Sequence, residues 1–288
     1  MMMAAVIFYL LTRPAPLGAQ ITINKVRDTK ANVDFSKPIR ILVMGSDSRT
    51  LNLAGSRSDC IMLVQLNPDK TSNFISFPRD SLVSIPGRGE NKINSAMALG
   101  GPELTVKTIE QYSGLKIDYY MVTTFDGLQL MVNGVGGVTV DVDMDLHDPY
   151  SGADLNKGPQ LVNGGQALAF CRARHNTPNG DFTRAGHQQD LVVDSIKQEQ
   201  QKVKNPGSIF EIMILVLRNI VTTVPNTEFY RLVKTAFSMD TTKADKTVLK
   251  GRTGMVGGAS VVMLDKTFAD QTFEKMRVKA TEPALTNP

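Results

Sequence analysis

Apolar residues occur along the chain in short runs separated by polar turns, and these runs predict strands. Three of them fall between positions 39 and 77, at residues 39–44, 60–66 and 73–77. The turn-forming segment 67–70 separates the last two runs, which predicts a β-hairpin. Nearly continuous apolar runs are typical of strands covered on both faces, so we expect a central β-sheet flanked by helices.

Helical and strand patterns then alternate along the rest of the chain. Apolar spacing and capping residues predict helices over residues 94–99, 102–112, 124–132, from 163, 181–203, 209–220 and 228–237. Further strands are predicted over residues 82–85, 119–123, 138–142 and 260–264. Residues 143–160 are acidic and rich in turn formers, which predicts a long surface loop. This alternation favours an α/β layer architecture in one domain.

Composition describes an ordinary globular chain and excludes some partners. The 288 residues are 42% hydrophobic and 21% charged, with a formal net charge of +4. Basic residues are spread along the chain without a Lys/Arg block, so no nucleic acid is expected as a partner. The two cysteines and three histidines show no zinc-site spacing.

The first twelve residues, MMMAAVIFYLLT, form an apolar run. A spanning helix needs roughly 20 residues, and the run lacks the basic segment that begins a signal peptide. We interpret residues 1–12 as the remnant of a truncated membrane anchor and residues 13–36 as a connector. A cleaved signal peptide and a simple apolar terminus are the alternatives.

Aspartate and arginine residues gather where the predicted strands meet loops, which is where open α/β sheets usually bind ligands. They are Asp47, Arg57, Asp59, Arg79 and Asp80. Mg²⁺ is commonly held by one or two carboxylates while phosphates and water complete its shell, and arginine offers a planar fork to phosphate oxygens. The set predicts a diphosphate site, with solvated surface charges as the alternative.

A series of ordered motifs carries a resemblance to a known family. The motifs are GSDSR, RSD, SFPRD, KIN, GGPELTVKTIE, FDGL, VGGV, NGGQAL, RARH and GDFTR, spread over about residues 37–203. Together they resemble the LytR-CpsA-Psr family. The resemblance implies a single domain over residues 37–278 with a central mixed β-sheet flanked by helices in α-β-α layers, an apolar groove for a polyprenyl chain, and a frayed tail over 279–288.

The resemblance also implies an activity and a location. Such proteins transfer a glycopolymer from a polyprenyl-pyrophosphate carrier to a hydroxyl of peptidoglycan or another envelope polymer. The expected cofactor is Mg²⁺, with Mn²⁺ as an alternative, and the expected partners are the glycan lipid, peptidoglycan and the cell membrane. The expected location is a single-pass membrane protein with an extracellular catalytic domain. A pyrophosphatase and a non-catalytic lipid- or polymer-binding protein are the alternative functions.

Site residues follow from the matching motifs. Asp47 and Asp59 are predicted to bind Mg²⁺. The pyrophosphate is predicted to contact Arg57, Arg79, Lys92, Arg172, Arg174, Asp181, Arg184 and Gln188. The predicted catalytic residues are Asp59, Arg79, Asp80, Arg172 and Arg174, with Asp59 or Asp80 accepting the hydroxyl proton. If the chain becomes extended at Cys171, alternation places Arg172 and Arg174 on one side as a clamp.

The helix after this clamp departs from the family pattern. Asp181 is predicted as its N-cap, and helical spacing places Arg184, His187 and Gln188 on one face. His187 stands where family members carry a second arginine, and imidazole binds anions less firmly than guanidinium. Cys60 and Cys171, both beside predicted site residues, are expected to form either a disulfide or two buried thiols.

Overall fold

A computed structural model describes residues 33–175, 177–203 and 205–281. The first strands in chain order are β1 (Ile39–Ser46), β2 (Ser58–Leu66), β3 (Ser72–Ser76), β4 (Leu82–Ile85), β5 (Gly89–Lys92), β6 (Tyr119–Thr123) and β7 (Val138–Val142). The later ones are β8 (Leu146–Asp148), β9 (Ala153–Leu155), β10 (Gly158–Val162), β11 (Ile220–Thr222), β12 (Ala244–Val248), β13 (Gly251–Val256) and β14 (Ala259–Leu264).

The helices complete the chain between these strands. They are α1 (Ser95–Ser113), α2 (Phe125–Gly134), α3 (Gly164–Arg172), α4 (Asp181–Lys202), α5 (Pro206–Leu217), α6 (Asn226–Phe237) and α7 (Lys266–Thr281). Helix α1 is broken where Gly100 and Gly101 leave helical geometry, and Gly101 has a φ of 71°, in the left-handed region that favours glycine. The two helices predicted on either side of this point are therefore confirmed.

A six-stranded mixed sheet organises the domain, in the order β11-β6-β1-β2-β3-β12. Strands β1 and β6 pair in parallel, as do β3 and β12, whereas β1, β2 and β3 form an antiparallel series. The hairpin predicted between β2 and β3 is confirmed, and its turn contains Lys70 at a φ of 65°.

Helices cover both faces of this sheet. Alternate residues of β1 point to opposite faces, so that Ile39 and Ile41 pack towards α4, α5 and α6 while Leu42 and Met44 pack towards α1 and α7. The predicted α-β-α arrangement around a mixed central sheet is confirmed. A smaller apolar cluster lies beside it, where α2 and α3 pack with strands β7 to β10.

The prediction of a long surface loop over residues 143–160 is wrong. This segment forms a β8–β9 hairpin and then β10, which pairs with β7. The strands are short, and each buries only one or two apolar side chains, among them Leu146 and Leu155. Strands this short show too few alternations of apolar and polar residues to be recognised among the surrounding turn-forming residues.

The predicted location as a single-pass membrane protein is also wrong. Among the residues that the structure describes, no helix has the length and apolar character needed to cross a membrane. The predicted anchor remnant at residues 1–12 lies outside the described residues, as does most of the predicted connector.

Candidate active site

An ion-pair cluster at the ends of β2 and β3 brings many of the predicted residues together. Arg79 donates a hydrogen bond from Nη1 to Oδ1 of Asp59 over 2.6 Å. Its Nε lies 3.9 Å from carboxylate oxygens of both Asp80 and Asp181. Lys92, the last residue of β5, reaches Asp80 at 2.9 Å. Arg79 is therefore surrounded by three carboxylates.

Asp181 extends this cluster from the opposite layer. Its Oδ1 lies 3.2 Å from Nη2 of Arg184 and 3.6 Å from Nη1 of Arg174. Asp181 is the first residue of α4, so the partial positive charge of the helix N-terminus favours its carboxylate. Gly180 occupies the N-cap position instead, which corrects the N-cap prediction.

A β-bulge aims Asp59 at Arg79. In the β1–β2 pairing Gly45 faces Cys60 and Ser46 faces Ser58, so Asp59 is the extra residue between them. The bulge lies next to α4, where the side-chain amide of Gln188 donates to the backbone oxygens of Asp59 and Cys171 at 3.3 and 3.1 Å. Gln188 thus ties β2 to the end of α3.

Four cationic side chains and three carboxylates meet in this cluster, and their charges act on one another. Burial opposes the charge on Arg79, but Asp59, Asp181 and Asp80 together raise its pKa. Burial lowers the pKa of Arg184, an effect that Asp181 counteracts and Arg79 reinforces. A phosphate ligand would bring anionic oxygens into the cluster, and these oxygens would relieve the repulsion among the guanidinium groups.

Asp47 and Arg57 lie at the neighbouring strand ends. The backbone N–H of Asp47 donates to the carbonyl of Arg57 at 3.0 Å, and the N–H of Arg57 donates to Oδ1 of Asp47 at 2.8 Å. Both side chains are exposed. In the part of the chain that the structure describes, no three His, Cys, Asp or Glu side chains form a metal site. A site of two carboxylates completed by substrate phosphates fits Mg²⁺.

Arg172 lies apart from the ion pairs. Helix α3 continues through Arg172, so the condition set for the clamp, an extended chain from Cys171, is not met, and extended geometry begins at Ala173. The Arg172 guanidinium lies over the Phe125 ring, 5.0 Å from its centroid. Of the two arginines in the predicted clamp, Arg174 contacts Asp181 and Arg172 does not.

His187 and the two cysteines make none of the ion pairs of the cluster. His187 is buried, stacks on Phe170 at 4.4 Å and pairs with Asp143 at 3.1 Å. Arg184, His187 and Gln188 are all buried, which confirms their common face. Cys171 is buried and Cys60 is partly buried, and both are free. Desolvation raises the pKa of both thiols, so they stay protonated at neutral pH and are poor nucleophiles.

Asp148, at the end of β8, is a functional candidate that the sequence reading missed. Its side chain is 1% exposed, and its Oδ2 accepts hydrogen bonds from the backbone N–H groups of Arg174 and His175 at 3.0 and 3.1 Å. Burial alone would raise its pKa, but these bonds and one from Tyr150 hold the pKa well below its usual range. The acidic loop composition gave no signal for it.

This buried carboxylate predicts a pH-dependent stability. Because the folded-state pKa of Asp148 is lowered, its contribution is complete above its unfolded pKa near 3.8, begins to decline below that value and is lost only as the pH falls through the much lower folded-state pKa. We expect Asp148→Asn to lower the free energy of unfolding by about 2–3 kcal/mol at pH 7 and by about 1 kcal/mol less at pH 3, where only the unfolded state has begun to bind the proton. Urea unfolding at both pH values measures this. Asp154→Asn, at an 89% exposed side chain, is the control, and an equal loss at both pH values would contradict the assignment.

A strip of partly exposed apolar residues, here called the apolar crevice, borders the cluster. Central strands covered by helices normally bury their side chains, yet Val43, Cys60 and Met121 remain partly exposed on adjacent strands β1, β2 and β6. Helix α5 faces them and is strongly apolar, but Met213 is its only fully buried side chain. The sheet and α5 therefore leave apolar surface uncovered beside Asp59.

Two cavities, of about 360 and 340 Å³, lie away from the cluster. They adjoin the C-terminal end of α2, around Gly134 and Gly137. Arg172 contacts Phe125 at the other end of this helix. At a rise of 1.5 Å per residue, Phe125 lies about 13 Å along the helix from Gly134. None of the predicted site residues lines either cavity.

Comparison with known proteins agrees with this architecture. The chain is 33% identical over 206 residues to the polyisoprenyl-teichoic acid–peptidoglycan teichoic acid transferase TagU of Bacillus mycoides, covering 71% of this chain and 66% of that protein. Its identity to TagU of Bacillus licheniformis is 34% over 224 residues, covering 75% and 71%. The crystal structure of TagV from B. subtilis superposes with a TM-score of 0.75 at 30% identity, covering 88% and 99%.

A family profile matches most of the chain. The LytR_cpsA_psr family matches residues 15–278, a span that contains every residue of the ion-pair cluster and the crevice. The chain therefore belongs to the LytR-CpsA-Psr family.

Proposed function

We propose that this protein transfers a glycopolymer from a polyprenyl-pyrophosphate carrier to a hydroxyl of peptidoglycan or a related envelope polymer. The observation that carries the proposal is the ion-pair cluster itself, in which Arg79, Arg174 and Arg184 converge around one carboxylate. Related proteins are named as teichoic acid transferases that act on a polyisoprenyl-linked donor and peptidoglycan. A guanidinium cluster beside an apolar crevice suits the same kind of donor.

The donor's two chemical parts match the two parts of the site. Its diphosphate oxygens would bind the guanidinium groups, and Lys92 would add a point charge. Its prenyl chain would enter the crevice formed by Val43, Cys60 and Met121, where each buried CH₂ contributes about 0.8 kcal/mol. Cys60 directly follows Asp59, so the crevice opens next to the diphosphate.

Transfer exchanges the phosphoanhydride bond of the donor for a phosphodiester bond to the acceptor. The acceptor oxygen forms a bond to the glycan-proximal phosphorus, the bond from that phosphorus to the bridging oxygen breaks, and polyprenyl phosphate leaves. Arg79 and Arg174 offset the charge that develops on the phosphoryl oxygens. Asp80 lies outside the proposed metal pair and is the carboxylate that we assign to take up the acceptor's proton.

Asp47 and Asp59 would hold Mg²⁺ together with diphosphate oxygens, and Mn²⁺ could occupy the same donors. The ion would neutralise phosphate charge and polarise the phosphoryl group. Asp59 already accepts a bond from Arg79 through Oδ1, so metal and guanidinium would share this carboxylate.

Reconstitution tests the proposal directly. The protein is incubated with a polyprenyl-diphosphate-linked glycopolymer, Mg²⁺ and peptidoglycan, and the product is examined for a phosphodiester-linked adduct. We expect the adduct and free polyprenyl phosphate in equal amounts, and loss of both when EDTA removes the metal. Polyprenyl phosphate released without adduct would identify a pyrophosphatase, and donor binding without turnover would identify a lipid-binding protein.

A further inference from the structure

A fixed aromatic pair stands beside the ion-pair cluster. Tyr150 lies in the β8–β9 turn, and its side chain is 77% exposed. Its ring centroid lies 4.3 Å from that of His175, with the two planes inclined by 40°. His175 directly follows Arg174, whose side chain contacts Asp181. An exposed aromatic surface thus begins one residue from the proposed diphosphate site.

Asp148 fixes this pair relative to the cluster. Its carboxylate accepts the backbone N–H of Tyr150 at 3.0 Å and lies 3.3 Å from Nδ1 of His175. The same carboxylate accepts the backbone N–H groups of Arg174 and His175. One buried group therefore orients the backbone of the tyrosine turn, the imidazole ring and the backbone of Arg174, so the turn that carries Tyr150 is positioned beside His175 before any ligand arrives.

A chain of contacts gives the pair its position along the site. It begins at the crevice beside Asp59, passes through Arg79 and Asp181 to Arg174, and ends at His175 and Tyr150. The crevice and the aromatic pair thus stand at the two ends of this chain of contacts. A donor whose lipid fills the crevice places its leaving phosphate at the Asp59 end.

We propose that Tyr150 and His175 bind a sugar ring of the acceptor glycan, an inference that rests on the proposed transferase function. In phosphoryl transfer the attacking and leaving oxygens lie roughly in line. The leaving phosphate faces the crevice, so the acceptor approaches from the other end, where the aromatic pair lies. The C–H face of a pyranose ring is apolar and packs on an aromatic face, and tyrosine offers that area at a small entropic cost.

Steady-state kinetics with Tyr150→Ala tests this assignment. The acceptor probe is a soluble peptidoglycan fragment of alternating N-acetylglucosamine and N-acetylmuramic acid, and the donor is the lipid-linked glycopolymer. We expect the KM for the fragment to rise about tenfold while the KM for the donor is unchanged. Tyr230→Ala, which removes a tyrosine exposed by 36% on α6, should change neither constant. An unchanged KM for the fragment, or a raised KM for the donor, would overturn the proposal.

A binding measurement separates this inference from the proposed function. The chain contains no tryptophan, so Tyr150→Trp introduces a single fluorescent reporter. We expect its emission to change and saturate on titration with the same glycan fragment, with or without donor. No change would overturn the acceptor subsite even if transfer occurs. Saturable binding by a protein that forms no adduct would overturn the transferase assignment and leave the glycan site standing.

Discussion

Replacing Arg79 with alanine should lower kcat/KM for glycopolymer transfer about a thousandfold, the scale expected when a preorganised charge-stabilising donor is removed. Arg79 lies between three carboxylates and would neutralise the diphosphate at the centre of the cluster. Its side chain and that of Asp59 are 22% and 20% exposed. Water can therefore hydrate Asp59 in the variant, and we expect the fold to be retained. Single-turnover kinetics with saturating acceptor measures the loss.

Two comparisons make this result specific. Arg88 is an exposed arginine in the β4–β5 turn, and Arg88→Ala should retain full activity. Arg79→Lys keeps the charge but not the planar fork, so it should recover only part of the rate. Near-normal transfer by Arg79→Ala, with an unchanged melting temperature, would show that the diphosphate binds elsewhere.

The second large effect concerns stability. Gly164→Ala should lower the free energy of unfolding by about 3 kcal/mol, the upper end of the usual overpacking cost. Gly164 begins α3 against α2, and a β-carbon there would meet backbone atoms of Gln129, with Cα at 2.7 Å and C at 2.8 Å. Backbone atoms inside a helix cannot move aside as a side chain can. Urea unfolding measures the change.

The neighbouring glycine supplies a matched control. A β-carbon on Gly165 would lie 3.4 Å from Oδ1 of Asn163, an ordinary contact, and the residue is exposed in the first turn of α3. Gly165→Ala should therefore be neutral or stabilise by up to about 1 kcal/mol, because alanine has the higher helix propensity. Equal destabilisation by both substitutions would contradict close α2–α3 packing as the cause.

Long apolar runs made the sheet predictable from sequence. The runs at residues 39–44, 60–66 and 119–123 are buried central strands, so every position in them favours the same element. Helix α4 was equally clear, since it was predicted over residues 181–203 and spans Asp181–Lys202. Local propensity and tertiary burial agree in these segments.

The geometry of the site depended on features with no local signal. Asp59 reaches Arg79 because a bulge inserts it between Ser58 and Cys60, and nothing in the run of residues marks the bulge. Arg172 is helical because α3 ends two residues later than an extended chain from Cys171 would require. Asp148 looked like one of several loop aspartates, and only the fold buries it beneath Arg174. Each of these depends on contacts between distant segments.

We expect one pocket of this protein to hold a diphosphate beside the apolar crevice. A crystal structure of the protein with geranyl diphosphate and Mg²⁺ tests it most directly. We expect phosphate oxygens within about 3 Å of the guanidinium groups of Arg79, Arg174 and Arg184, with the prenyl chain against Val43 and Met121. A diphosphate bound away from these arginines, or a prenyl chain directed away from the crevice, would contradict the account.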